Sequence, residues 1–180
     1  MRKIILYSAM SLDGYIAREN GDIDWLPEPD GDEDFGYGDF IATVDTTIMG
    51  YKTYHQVLGF GEWHYGGMEN YVFTRDPNRP PDSKVTFVYG DHVRFVEELK
   101  SQSGKQTIWL IGGGQINQLL ASAGLVDELH LHIMPVSLGR GISLFEGDMD
   151  ASWKLTLAQP HPGGIVEMRY AFEKLGSGNS

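Results

Sequence analysis

"IWLIGGGQIN", residues 108–117, is the stretch on which the reading of the whole chain turns. Ile108, Leu110 and Ile111 read as a buried strand, Gly112 to Gly114 as a turn, and Ile116, Leu119 and Leu120 as the start of an amphipathic helix. A strand–glycine–helix corner aims unpaired backbone N–H groups and the positive end of a helix at one point, and glycine lets an anion come within hydrogen-bonding distance. A pyrophosphate fits such a corner. So does a plain tight turn in which glycine supplies left-handed dihedrals.

A second corner of the same kind is "TTIMGYKTYHQVL", where a strand meets Gly50 and a helix begins at Tyr51 with Lys52 and Thr53 in its first turn. A third strand end, "YVFTR", presents Thr74 and Arg75 before a proline-rich loop. Together these supply two helix N-termini, hydroxyls and cations for a ligand with several phosphates. Charge-assisted contacts of ~1.5–3 kcal/mol each can add up to the ~8 kcal/mol of micromolar binding. The corner at 112–114 is a poor Rossmann fingerprint, because Asn117 stands at the third glycine of G-x-G-x-x-G and Asp127 opens the next strand instead of closing one to hold a ribose.

Around the corners, strands are expected at 3–9, 46–50, 70–74, 84–89, 107–112, 128–134, 153–159 and 165–174, and helices at about 33–43, 51–58, 91–102 and 114–124. Asp91 is the expected N-cap of the third helix. The last two strands alternate apolar and polar residues on either side of "PHPGG", the pattern of a half-buried hairpin. Strands alternating with helices and ending in a hairpin predict an α/β fold with a mostly parallel sheet, helices on its faces and an antiparallel edge. One domain is expected over 1–175, followed by a disordered tail at 176–180.

Composition narrows the function. The chain has 180 residues, 41% hydrophobic and 12% aromatic, enough to build a core. It lacks cysteine, so disulfides, Cys-ligated zinc and thiol nucleophiles are excluded, and a cytoplasmic location is expected. No run approaches the ~18 apolar residues of a membrane helix. A net charge of -11 argues against a nucleic-acid partner, which needs a basic face. Much of that charge falls between Asp13 and Asp39, where Arg18 is the only basic residue. Exposed charges beyond the ~8 Å Debye length are largely screened, so a small phosphorylated ligand is still admissible.

"SAMSLDGYIA", "IMGYKTY", "VFTR", "LIGGGQIN" and "VDELHLHIMPVSLGRGISLF" follow one another in an order and spacing that resemble the dihydrofolate reductase superfamily. Within it, the chain is most similar to the reductase domain of bifunctional riboflavin-biosynthesis deaminase-reductases and their stand-alone relatives. The resemblance implies a three-layer fold around about eight strands, with NADPH across their carboxyl ends. It places Ala9 and Ile16 on the nicotinamide side, phosphates at Gly50, Lys52 and Thr53, and the adenosine 2′-phosphate at Thr74 and Arg75. It wraps the pyrophosphate with Ile111, Gly112, Gly113, Gly114, Gln115 and Ile116. Tyr51 stands where the superfamily often has Arg, which shifts the preference for NADPH onto Lys52 and Arg75 and frees Tyr51 to stack on the adenine.

Superfamily members use a carboxylate in the helix before the "IMG" strand, and here Asp30, Glu33 and Asp34 lie near that place; Asp34 fits best by its distance from Gly50. A proton donor there needs a raised pKa or a bound water. Asp13 in "SLDG" either faces the substrate or forms a turn before Gly14. Gly139 and Gly141 either admit a substrate or subunit or shape a loop, and Arg140 can meet a substrate phosphate. His130 and His132 share a strand face without an evident third ligand, so no metal is expected.

The resulting expectation is an NADPH-dependent reductase of a pyrimidine or pteridine, resembling either 5-amino-6-(5-phosphoribosylamino)uracil reductase or dihydrofolate reductase. The alternative is a non-catalytic nucleotide-binding module. The zinc deaminase half is absent, since no H-x-E…P-C-x-x-C set exists. The resemblance also implies a homodimer, with "DELHLHIMPV" as a subunit-facing strand.

Overall fold

β1 (Ile4–Ser11) lies between β6 (Thr107–Gly112) and β7 (Glu128–Met134) and runs parallel to both. Its apolar run IIL reads as continuous rather than alternating because both of its faces are covered. The computed structural model describes residues 1–27, 34–103 and 105–173. Outward on one side of β6 come β3 (Val44–Gly50), β4 (Glu69–Phe73) and β5 (Thr86–Val88), all parallel. On the other side β10 (Val166–Glu173) and then β9 (Ser152–Pro160) close the sheet antiparallel. The eight-strand order is β5-β4-β3-β6-β1-β7-β10-β9, the α/β three-layer arrangement expected.

α3 (His92–Ser101) and α4 (Gly114–Ser122) cover one face, burying Ile4, Leu6, Ile48, Val96, Leu99, Ile108, Leu110 and Leu120 together. Full burial of each such side chain is worth ~1.5–3 kcal/mol. The opposite face packs Ile5, Trp109 and Val44 under Phe40 of α1 (Tyr37–Ile41), and Met49 and Val72 under Tyr54 of α2 (Tyr51–Gly59). As expected, Asp91 caps α3, its carboxylate accepting from Arg94 N at 3.0 Å.

Several expectations need correction. The helix expected at about 33–43 is only Tyr37–Ile41, because Gly36, left-handed at φ 78, starts it late. Residues 28–33, and with them Asp30 and Glu33, lie outside the described residues, as does the tail. A small antiparallel sheet of β2 (Tyr15–Ala17) and β8 (Ile142–Ser143) escapes the sequence reading, since neither run is long enough to show a period. Leu155 of β9 is 49% exposed rather than half-buried, as that strand is the sheet's edge. β7 cannot be a subunit-facing strand: both its edges are paired, and His130 and His132 are buried within the chain. Among the described residues no helix is long and apolar enough to cross a membrane.

Candidate active site

The two glycine corners adjoin. β3 and β6 are neighbours, with Met49 paired to Gly112, so both chains turn into their helices at the same edge of the sheet. α2 starts after Gly50 and α4 after Gly113, and among the described residues no side chain caps either helix, in contrast to α3. Their first-turn N–H groups are therefore left for a ligand or water, except that of Ile116, which donates to Gly113 O at 3.0 Å. A Cβ on Gly50 would stand 3.2 Å from Ile116 Cγ1 and 3.8 Å from Gly112 O, and one on Gly113 would stand 3.5 Å from Thr53 Oγ1. The absence of both side chains leaves a cradle bounded by Thr53 and Ile116. The Gly112–Gly113 peptide is cis.

Gly114 answers to a different constraint. A Cβ there would lie 2.3 Å from Ser143 O and 2.7 Å from Glu146 Cγ, so the close approach is by the chain itself. Asn117, at the fingerprint's missing glycine, is fully buried and donates from Nδ2 to Leu144 O at 2.9 Å, fastening α4 to that same segment. Gln115 and Lys52 are exposed, while Thr53 and Ile116 are half-buried.

Thr74 is buried at the end of β4, its Oγ1 accepting from Asp76 N at 3.1 Å. Arg75 beside it is exposed. The unexpected cation is Arg79: its guanidinium lies over the Tyr51 ring, 3.7 Å from the centroid, and 3.5 Å from Asp76. One face of Tyr51 is thus already occupied by an arginine from the following loop. Spacing alone does not reveal this, because the loop from Arg75 to Asp82 must fold back for the two to meet.

Neither expected acid has the environment of a proton donor. Asp34 Oδ2 accepts from Gly38 N at 2.8 Å and Oδ1 from Gly36 N at 2.9 Å, and these bonds lower its pKa. It shapes the entry to α1. Asp13 accepts from Ser11 Oγ at 2.6 Å, Leu138 N at 3.0 Å and Gly139 N at 2.7 Å, which brings its pKa down to about 2. It ties the β1–β2 turn to the loop before β8, the turn-forming alternative. Gly141 admits the chain rather than a ligand, a Cβ there being 2.3 Å from Ala17 O. Arg140 is exposed and 4.0 Å from Glu19.

Ala9 and His132 are paired across β1 and β7, and Glu167 is paired with His132 across β7 and β10, so the three side chains share one face. Ile16 packs instead against the core of the opposite face. The expectation that no third ligand lies near the strand histidines is overturned: His161, from the β9–β10 turn, and Glu167 gather at His132. His130 belongs to a separate contact, 3.0 Å from Glu128. A concavity of about 470 Å³ between Met1–Lys3 and Lys105–Thr107 is an open depression at the strands' amino ends, away from these groups.

Residues 2–166 match the RibD C-terminal domain family. The chain belongs to that family. Over 171 residues this RibD C-terminal domain is 42% identical to YwjB of Bacillus subtilis (strain 168), an uncharacterized protein, covering 94% of this chain and 97% of YwjB. It is 33% identical over 182 residues to YyaP of the same organism, covering 94% of each. Among solved structures, a Shewanella sp. PV-4 protein provisionally assigned to riboflavin biosynthesis superposes with TM-score 0.83 at 28% identity, covering 97% of this chain and all (100%) of that one. A dihydrofolate reductase from Enterococcus faecalis, complexed with NADP(H), superposes with TM-score 0.69 at 14% identity over 96% and 97% of the two chains. The RibD C-terminal domain thus has the dihydrofolate reductase fold.

Proposed function

We propose that this RibD C-terminal domain is an NADPH-dependent reductase that transfers hydride to a pyrimidine- or pteridine-type small molecule. The observation that carries the reading is the adjacency of two uncapped helix starts across Gly50 and Gly113, a cradle that two added Cβ atoms would fill. It suits a diphosphate, with N–H groups of Lys52, Thr53 and Gln115 as donors and the Thr53 hydroxyl between the corners. Thr74, Arg75 and Arg79 supply hydroxyl and positive charge for a 2′-phosphate beside Tyr51. Ala9 bounds the nicotinamide end. The bound cofactor supplies the hydride there.

With Asp13 and Asp34 held ionised, a water ordered on the exposed Asp34 carboxylate is the proton source that fits. The same fixed carboxylates favour the second reading, a nucleotide-binding module without chemistry. We place the protein in the cytoplasm as a homodimer, its contact lying elsewhere than β7; a light-scattering mass near 20.1 kDa would exclude the dimer.

Oxidation of NADPH, followed by its absorbance against a panel of ribosylamino-pyrimidines and dihydropterins, tests the reading. Turnover supports the reductase, saturable binding without turnover with any member supports the module, and no binding sinks both.

A further inference from the structure

We propose that His132, His161 and Glu167 form a binding site for a divalent transition cation. The fold gathers the three from separate parts of the chain. Glu167 is the cross-strand partner of His132 on β10, and His161 stands at the end of β9 where the hairpin turns. One ligand atom from each lies within 4.8 Å of the others, close enough for a single ion to draw them together. His132 and Glu167 are 3% exposed in the chain's interior, where an acid is retained only with partners.

The surrounding contacts have the form of an outer ligand shell. His132 Nε2 lies 3.1 Å from Phe35 O, which can only accept, so Nε2 carries the proton and the Nδ1 lone pair is the one a metal would take. Backbone carbonyls commonly orient metal-bound histidines in this way. Glu167 Oε1 accepts from Arg169 Nε at 2.5 Å, while Oε2 faces His161 Nε2 at 3.4 Å. One carboxylate oxygen is therefore fixed by a neighbour and the other is turned into the cluster. The long His161–Glu167 separation is a weak hydrogen bond, and a cation bound by both groups would exchange it for two coordinate bonds.

Two imidazoles and one carboxylate select a borderline cation such as Zn²⁺, Co²⁺ or Ni²⁺ over Mg²⁺ or Ca²⁺, which prefer all-oxygen shells. Three protein ligands leave a coordination position for water or a small ligand. The site is independent of the reductase reading, as the probe is the metal alone.

The experiment is a titration of the untagged, chelator-treated full chain with Co²⁺, read by its visible absorption, followed by displacement with Zn²⁺. The expected result is one saturating equivalent with bands of low coordination number, displaced by Zn²⁺ and not by Mg²⁺. His161→Ala, at the turn, should weaken binding by about tenfold or more with an unchanged circular-dichroism spectrum, and His132→Asn likewise. His64→Ala, on the exposed surface, should leave binding unaltered. No saturable band in the unaltered chain, or a band that survives His161→Ala and His132→Asn at full affinity, overturns the proposal.

Discussion

Replacing Gly50 with alanine separates what the glycine does for the fold from what it does for the site. Gly50 holds φ -77 and ψ 158, an extended conformation that alanine adopts freely. The added methyl would stand 3.2 Å from Ile116 Cγ1, so that side chain must yield by a few tenths of an ångström. Removing glycine's freedom from the unfolded chain returns ~0.4–1 kcal/mol, which offsets the tight contact. The net stability change should stay within about 1 kcal/mol, a Tm shift of no more than about 2–4 °C for a chain of this size. The same methyl occupies the cradle. Displacing a diphosphate from even one charge-assisted contact, worth ~1.5–3 kcal/mol, lowers NADPH affinity by about tenfold or more. Calorimetric titration beside thermal melts reads both quantities. Gly114→Ala is the contrasting variant: its Cβ would meet Ser143 O at 2.3 Å, backbone that cannot swing aside, so its melt should fall clearly. A Gly50→Ala chain that binds NADPH as tightly as the unaltered protein refutes the cradle.

Three further outcomes follow from the same geometry. Arg79→Ala should reduce discrimination between NADPH and NADH by roughly fivefold, about 1 kcal/mol, in paired titrations; an unchanged ratio would show that Arg79 only covers Tyr51. Asp13, depressed from 3.8 to about 2, contributes stability that is complete above its unfolded value and lost as pH falls through its folded one, so Asp13→Asn should flatten the acid dependence of urea unfolding across that window, and an unchanged dependence would deny its tie to Leu138 and Gly139. Arg2, whose side chain is 1% exposed, bonds Asp45, Thr46 Oγ1 and Gln106 O; Arg2→Ala should cost about 3 kcal/mol and lower Tm by roughly 6–12 °C, and a smaller fall would mean that water replaces it.

The corners were legible because they obey local rules. Ile108 to Ile111 belongs to a largely buried parallel strand that can only read as apolar, and a glycine parts each strand from its helix, Gly50 between β3 and α2 and Gly112 between β6 and α4. Their adjacency was not local: it depends on β3 and β6 being paired, which the motif order suggested through resemblance and only pairing in three dimensions shows. The same limit hid Arg79 against Tyr51, 28 positions apart in sequence, and the His132–Glu167 register. Glu167 was also masked by its own strand. Val166, Met168, Tyr170 and Phe172 mark one face as apolar, yet the most buried side chain of β10 is the acid between them. Asp34 and Asp13 were recognisable as acids near the expected place, but a carboxylate's role depends on which donors reach it, and here these are Gly36, Gly38, Leu138 and Gly139 N–H groups. A residue type in a plausible position does not carry that information.

An amide-resolved NMR titration with NADPH tests the account at its centre. The first-turn amides of Tyr51, Lys52 and Thr53 should shift together with those of Gln115 and Ile116 along one saturation curve, while Arg94 and Phe95 of the side-chain-capped α3 stay still. Movement at one corner without the other, or two curves with different midpoints, would contradict a single diphosphate held between them.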